Sequence, residues 1–194
     1  MTDFVAGGPK KVLLAALLCA LAVSGCAGSP QPSRPDSGSR ASTSAPPSGL
    51  TAADIGWLQL MIAMDDQARH ILQLAPERSG STDLKVWAAD VAEHHRSELA
   101  TLRALLTEGG VPDDNPHEGH DMPGMVNAQE LRALETAQGP RFDRLLRSAL
   151  LEHLAQARKL AASVRTADTS KEVKKAALAT GTSAADARRR LGSA

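Results

Sequence analysis

Cysteine and aromatic residues are scarce in this chain: its 194 residues include two Cys, two Trp, two Phe and no Tyr. Cys19 lies within an apolar segment near the start, and Cys26 directly follows that segment, so residues 27–194 contain no thiol. This absence excludes disulfides, cysteine-ligated zinc, iron–sulfur clusters and thiol nucleophiles from residues 27–194. A metal bound there must be held by His, Met, Asp or Glu side chains.

Long hydrophobic runs and an excess of one charge are also missing. The longest apolar run, from Val12 to Val23, has about twelve residues, whereas a helix that spans a membrane needs roughly 20. The 22 basic residues balance the 22 acidic ones, so bulk charge does not attract nucleic acid. We therefore expect no nucleic-acid partner.

The N-terminal segment has the order of a secretory signal. Lys10 and Lys11 precede the apolar run, and Val23-Ser24-Gly25-Cys26 closes it with small residues and a cysteine that resembles the bacterial lipobox. The pattern predicts a lipoprotein signal peptide over residues 1–25 and diacylation of the Cys26 thiol. The mature protein would then be lipid-anchored on the extracytoplasmic face of the cell membrane. A single membrane-spanning anchor is the alternative interpretation.

Residues 26–50 consist mainly of Ser, Pro, Gly and Ala with isolated charges. Such a composition buries too little apolar surface to offset the conformational entropy of ordering the chain. We predict a disordered tether that lets the domain move roughly 25 Å from the membrane. The remaining residues 51–194 are enough for one compact core.

Helical periodicity dominates residues 51–194, where Ala, Leu, Arg, Glu and Gln are frequent and β-branched residues are sparse. The fold class is therefore predicted to be all-α. Four helices are expected: Thr51 to about Ala75, Ser81 or Thr82 to Gly109-Gly110, Asn127 to Val164 with an interruption at Gly139-Pro140, and Thr169 to about Leu191. Two short turns and one long crossover predict a ferritin-like four-helix bundle built from two diverged helical hairpins.

The crossover carries the densest group of candidate metal ligands. His117, His120, Asp121, Met122 and Met125 fall within nine residues. Thioethers suit Cu(I) and imidazoles suit Cu(II) or Zn²⁺, so this loop is a candidate copper site that keeps its ion through a redox change. The alternative is a solvated loop without a ligand.

A second candidate site lies in the predicted interior. His95 and His153 fall on the apolar faces of the second and third helices, and Met64 and Asp65 face inward from the first. With Glu98 they could converge as a metal site inside the bundle. The alternative interprets the histidines as hydrogen-bonded core residues and the methionine as a gap-filler.

Enzyme signatures are absent from the sequence. A di-iron carboxylate oxidase needs Glu-x-x-His on two helices, and no Glu in this chain has a His three residues later. The chain also has no nucleophile-elbow glycine pattern and no phosphate loop. We expect a protein without catalytic activity.

Three segments carry a family resemblance: Met122–Met125, Leu131–Leu134 and Gly139–Leu145. They resemble the central part of the bacterial family called domain of unknown function 305, whose members are ferritin-like and secreted or lipid-anchored. The resemblance covers about residues 51–191. It implies a helical bundle and copper handling through His and Met ligands.

The sequence departs from that family's Met-Ile-x-His-His-x-x-Ala element, which occurs once in each half. The two His-His pairs fall on Met64-Asp65 and on His153-Leu154, so three of the four histidines are replaced. The predicted function is weak binding or buffering of copper or a similar transition metal by a membrane-anchored lipoprotein. The alternative is a structural or partner-binding lipoprotein that has lost the metal site.

Overall fold

The computed structural model describes residues 49–117 and 120–192. Regular structure in these residues is entirely helical, which confirms the all-α prediction. The helices are α1 (Ala52–Leu72), α2 (Ala75–Arg78), α3 (Thr82–Glu108), α4 (Ala128–Thr136), α5 (Gly139–Ser163) and α6 (Lys171–Leu191). None of them combines the length and the apolar character that crossing a bilayer requires. The predicted signal peptide and Cys26 lie outside the described residues.

Two capping boxes fix helix starts where the sequence predicts them. The Thr51 hydroxyl accepts a hydrogen bond from the Asp54 backbone N–H (3.1 Å), and the Asp54 carboxylate accepts one from the Thr51 N–H (2.8 Å). Asn127 and Glu130 make the same reciprocal pair at α4. Each box satisfies backbone donors that the first helical turn leaves without intrahelical partners.

Two predicted boundaries are wrong. The first helix ends at Leu72 rather than near Ala75, because the chain turns there and starts the short α2. Pro76 lies in the first turn of α2, where the backbone N–H that proline lacks would have no intrahelical partner. The last helix is capped by Ser170 rather than Thr169. The Ser170 N–H donates to the Asp54 carboxylate (3.0 Å), so a contact with α1 decides which hydroxyl caps α6.

The four long helices form the bundle, with α1 packed on α3 and α5 packed on α6. Two tryptophans link these hairpins: Trp57 Nε1 donates to the Leu160 carbonyl and Trp87 Nε1 to the Ala187 carbonyl, each at 3.1 Å. The largest fully buried side chains supply most of the apolar core. They are Leu58, Met61, Met64, Leu72, Leu84, Leu99, Leu102, Leu106, Leu134, Phe142, Leu146 and Leu150.

The crossover between α3 and α4 is attached to the bundle at both ends. Arg103 pairs with Asp66 of α1 and with Asp113 of the crossover. Further along, the Gln67 side-chain amide donates to the Val126 carbonyl (2.8 Å) and accepts from the Val126 N–H (2.6 Å). These contacts hold the loop against one side of α1.

Candidate metal centre

Three ionisable side chains meet where α1, α3 and α5 pack together. Asp65 comes from α1, His95 from α3 and His153 from α5, and their side chains are only 1%, 6% and 2% exposed. Each occupies a position in the helical period that falls on the buried face of its helix, so all three side chains point into the bundle. One donor atom from each residue lies within 4.8 Å of the other two.

Two of the donor separations are close to those between the ligands of a bound metal ion. His95 Nδ1 lies 3.2 Å and His153 Nε2 lies 3.6 Å from Asp65 Oδ1, and the two imidazole rings meet edge to face with centroids 5.0 Å apart. Ligands about 2.0–2.1 Å from a tetrahedral ion are separated by about 3.3 Å. The three side chains therefore fit an ion held by two imidazole nitrogens and a carboxylate oxygen.

These polar atoms have no well-aligned hydrogen-bond partners among the described residues, although the Gly124 backbone lies close enough to His153 to favour its charged form. Both ring nitrogens of His95, both of His153 and Asp65 Oδ2 are buried without such a partner. The 3.2 Å from His95 to Asp65 is short enough for a hydrogen bond, but the N–H direction is not aligned with the oxygen. The interpretation of both histidines as core residues stays the alternative to a role as metal ligands.

The pKa values of the two histidines are shifted in opposite directions. Burial, together with the neighbouring His95, lowers the pKa of His153 to about 4, so His153 is neutral at pH 7 and offers a lone pair. Burial also opposes a charge on His95, but the carboxylates of Asp65 and Glu98 outweigh it and raise the pKa of His95. A metal binds the neutral imidazole, so a protonated His95 would have to lose its proton before it could coordinate an ion.

Glu98 extends the centre toward α6. Its Oε2 lies 3.7 Å from His95 Nδ1, and its other oxygen accepts a hydrogen bond from the Thr180 hydroxyl. Burial, reinforced by the Asp65 charge, raises the pKa of Glu98 to about 7. The sequence analysis did not identify Thr180. The feature that could have identified it is a hydroxyl side chain on the buried, alanine-rich face of α6.

Met64 is buried beside Asp65, but its methyl group packs beneath the crossover. A Cβ placed on Gly124 would lie 3.0 Å from Met64 Cε and 2.6 Å from Gln156 Cβ. Gly124 has a φ of +84°, which favours glycine as well. Met64 therefore takes part in docking the loop on the bundle.

Two of the loop candidates, His117 and His120, lie side by side in the crossover. The His117 and His120 rings have centroids 6.3 Å apart and line a cavity of about 350 Å³ with Asp121 and Met125. Met125 closes a turn by donating its N–H to the Met122 carbonyl (3.0 Å). Among residues 49–117 and 120–192, three close His or carboxylate donors are found in the bundle, at Asp65, His95 and His153, and no such group is found in this loop.

The sequence matches the family described as domain of unknown function DUF305 over residues 54–187. The chain belongs to the DUF305 family. This result confirms the resemblance carried by the segments around Met122–Met125 and Gly139–Leu145. A comparison with curated proteins finds no match.

Solved structures show the same fold at low sequence identity. A DUF305 fragment from Deinococcus radiodurans has a TM-score of 0.66 at 20% identity, covering 74% of this chain and 95% of its own. A DUF305 protein from Streptomyces coelicolor, classed as secreted, has a TM-score of 0.64 at 20% identity, with 72% and 89% covered. CopM in its Cu(II)-bound form has a TM-score of 0.61 at 21% identity, with 72% and 93% covered. These likenesses establish the ferritin-like helical bundle.

Proposed function

We propose that this DUF305 protein binds a transition metal ion at Asp65, His95 and His153, with Cu(II) as the first candidate. The observation that carries the proposal is the convergence of three buried donors from three helices, with neither imidazole making a well-aligned hydrogen bond to a described residue. An ion would supply partners for groups whose unpaired burial costs about 1–3 kcal/mol each. The fold likeness to CopM in its Cu(II)-bound form supports the choice of metal.

The donor types favour a divalent ion. Two imidazoles and a carboxylate suit Cu(II) or Zn²⁺, whereas Cu(I) favours thioether and thiolate sulfur. The mixed His and Met loop at His117, His120, Met122 and Met125 stays a predicted site for copper in both oxidation states. It is more exposed than the bundle site.

The proposed role is buffering of the ion without catalysis, by a lipoprotein anchored through Cys26 outside the cytoplasm. The basic, apolar and small-residue order of the N-terminal segment supports this location. The fold likeness to a Streptomyces coelicolor protein classed as secreted agrees with it.

The experiment is a Cu(II) titration of the full chain in detergent, followed by the fluorescence of Trp57 and Trp87 and by electron paramagnetic resonance. One ion per chain with two nitrogen ligands is expected. The variants His95→Leu and His153→Leu should lose this signal, because leucine keeps much of the volume and removes the donors. The matched control is His70→Leu, which changes a half-exposed histidine outside the cluster.

Two other outcomes would contradict the proposal. Binding that survives both bundle variants and disappears in His117→Ala combined with His120→Ala would move the site to the loop. A wild-type chain that binds neither Cu(II) nor Zn²⁺ at micromolar concentration would favour the structural or partner-binding alternative.

A further inference from the structure

Charge is divided unevenly along the folded part of the chain. Residues 51–138 carry 15 acidic and 6 basic side chains, whereas residues 139–191 carry 5 acidic and 12 basic ones. The formal net charges of the two segments are therefore −9 and +7, although the whole chain is neutral. Such a separation orients a protein near a charged partner, so the segment that contains α5 and α6 turns toward negative charge.

An apolar groove of about 650 Å³ runs between α5 and α6. Ala161, Val164 and Ala177 are buried and form part of its wall. Leu178 also lines the groove and is 72% exposed, the largest exposed fraction of any large apolar side chain in the described part of the chain. Apolar area that is left in water gains stability when another apolar phase covers it.

Four exposed cations line the same groove: Arg158 from α5, Arg165 just after it, and Lys174 and Arg189 from α6. Arg189 pairs with Asp186, whereas no carboxylate of the residues that the structure describes forms an ion pair with the other three. Arginine and lysine can cover apolar surface with their aliphatic stems while the charged ends reach outward. The apolar wall and these four cations together form what we call the basic groove.

We propose that the basic groove docks on a membrane surface that contains anionic lipids, with Leu178 entering the boundary between headgroups and acyl chains. Anionic headgroups complement the three cations without ion pairs, and the acyl region covers the apolar wall. A hydrophilic polyanion would match the charges but leave Leu178 in water. The surface acts whether or not the bundle holds a metal ion.

The start of the folded domain lies close to this groove. The Thr51 hydroxyl donates a hydrogen bond to the carbonyl of Asp168 (3.1 Å), which belongs to the connection between α5 and α6. Arg165 of the basic groove lies in the same connection. A lipid anchor at Cys26 would therefore join the domain beside the groove, and such attachment raises the effective concentration of the groove at the membrane.

The absence of cysteine from residues 27–194 allows a direct measurement of docking. The test uses the full chain with Cys19→Ser and Cys26→Ser, labelled with a nitroxide at Leu178→Cys. On vesicles of equal parts phosphatidylcholine and phosphatidylglycerol, the label should lose collisions with a water-soluble nickel chelate and gain collisions with oxygen, which concentrates in lipid. Vesicles of phosphatidylcholine alone should leave the label in water. The control label at Val86→Cys, a 66% exposed position on α3, should stay accessible to the chelate on both vesicles.

Charge variants in the same cysteine-free chain test the cations of the groove. Sedimentation gives the partition coefficient on each type of vesicle, and the ratio of the two values cancels the part of binding that does not depend on lipid charge. Arg158→Gln, Arg165→Gln and Lys174→Gln together should lower this ratio about a hundredfold, because each cation near an anionic surface contributes about fivefold.

A matched control removes one lysine and two arginines from the acidic segment. Its substitutions are Lys85→Gln, Arg96→Gln and Arg132→Gln. The net charge changes by the same amount as in the groove variant, but the ratio should change by less than about threefold, because charges farther from the surface are screened by salt.

Three results would overturn the inference. Equal ratios in the groove variant and the control variant would show that net charge acts without the groove. A Leu178→Cys label that stays open to the chelate on anionic vesicles that bind the protein would favour a hydrophilic polyanion as the partner. Equal shielding of this label on both vesicles would remove the role of anionic headgroups. Each of these results leaves the metal proposal intact, since the test uses the metal-free chain.

Discussion

His153 Nε2 lies 3.6 Å from Asp65 Oδ1 with both side chains almost fully buried, yet neither ring nitrogen of His153 has a well-aligned hydrogen-bond partner among the described residues. This relationship connects α5 to α1 across the centre of the bundle. A buried carboxylate and a neutral imidazole without aligned partners destabilise a protein core. The same pair would offer two donors to an ion bound at the proposed site.

Replacement of His153 tests whether its buried imidazole lowers the stability of the metal-free protein. Without metal, His153→Leu should raise the free energy of unfolding by about 1 kcal/mol or more, since it removes an unpaired buried polar ring. The measurement is urea unfolding in the presence of a chelator. The surface variant His70→Leu should change stability by less than about 0.5 kcal/mol. A clear loss of stability in His153→Leu would show that the imidazole stabilises the core by itself.

Glu98 should give the metal-free protein a characteristic pH dependence. With a pKa of about 7, Glu98 keeps its proton in the folded state between pH 4.5 and 7, whereas the unfolded chain releases it near the ordinary value of 4.5. The contribution of this group to stability therefore falls as pH rises through that window, by at most about 1.4 kcal/mol per pH unit.

His153 acts in the opposite direction over part of the same range. Its pKa is about 4 in the folded state and 6.5 ordinarily, so its contribution to stability rises with pH between these values. The comparison of wild type with Glu98→Gln isolates the glutamate, and the stability of wild type relative to this variant should fall from pH 4.5 to 7. Glu93→Gln, at an exposed position on the same helix, is the control. A constant difference between wild type and Glu98→Gln would argue against a raised pKa.

Metal binding should release a proton from His95. Its pKa is raised by the nearby carboxylates, so protonated His95 must lose its proton to coordinate an ion. Affinity should therefore rise with pH through the pKa of His95 and level off above it. Isothermal titration calorimetry in buffers of different ionisation enthalpy measures the number of protons released. Binding with no proton release at pH 6 would exclude a charged His95 in the free protein.

Docking of the crossover depends on Gly124. Alanine at this position would force a φ of +84° on a non-glycine residue and place its Cβ 2.6 Å from Gln156 Cβ. Gly124→Ala should lower the free energy of unfolding by about 2–4 kcal/mol, with urea unfolding as the measurement. Gly110→Ala is the matched control, because Gly110 also has positive φ (65°) but has open space around it, so only about 1 kcal/mol should be lost. Equal losses would mean that the loop does not press on α5.

Cys26 provides a test of the location. Cys26→Ala should abolish acylation and shift the protein from the membrane fraction to the soluble extracytoplasmic fraction. Mass spectrometry of the N-terminal peptide detects the lipid directly, and Cys19→Ala is the control because Cys19 falls in the segment predicted to be removed. A wild-type protein with an intact, unacylated N-terminus would contradict the lipoprotein prediction.

Local chemistry made much of the fold predictable. The boxes at Thr51 and Asn127 involve residues three positions apart, so their hydrogen bonds depend on short-range geometry alone. The start of α6 could not be predicted in this way. Ser170 rather than Thr169 caps the helix, and its N–H donates to Asp54, which lies 116 residues away in the sequence. A contact of that separation leaves no trace in a local pattern.

The sequence by itself determined which residues face inward, because an apolar stripe at the helical period places Asp65, His95 and His153 on buried faces. It also determined the donor chemistry, since residues 27–194 have no cysteine. Only the tertiary structure decided that these three side chains meet, that Thr180 holds Glu98 and that His117 and His120 form a separate pair. The rotation and axial offset of packed helices set these distances, and both depend on how side chains of different helices interdigitate.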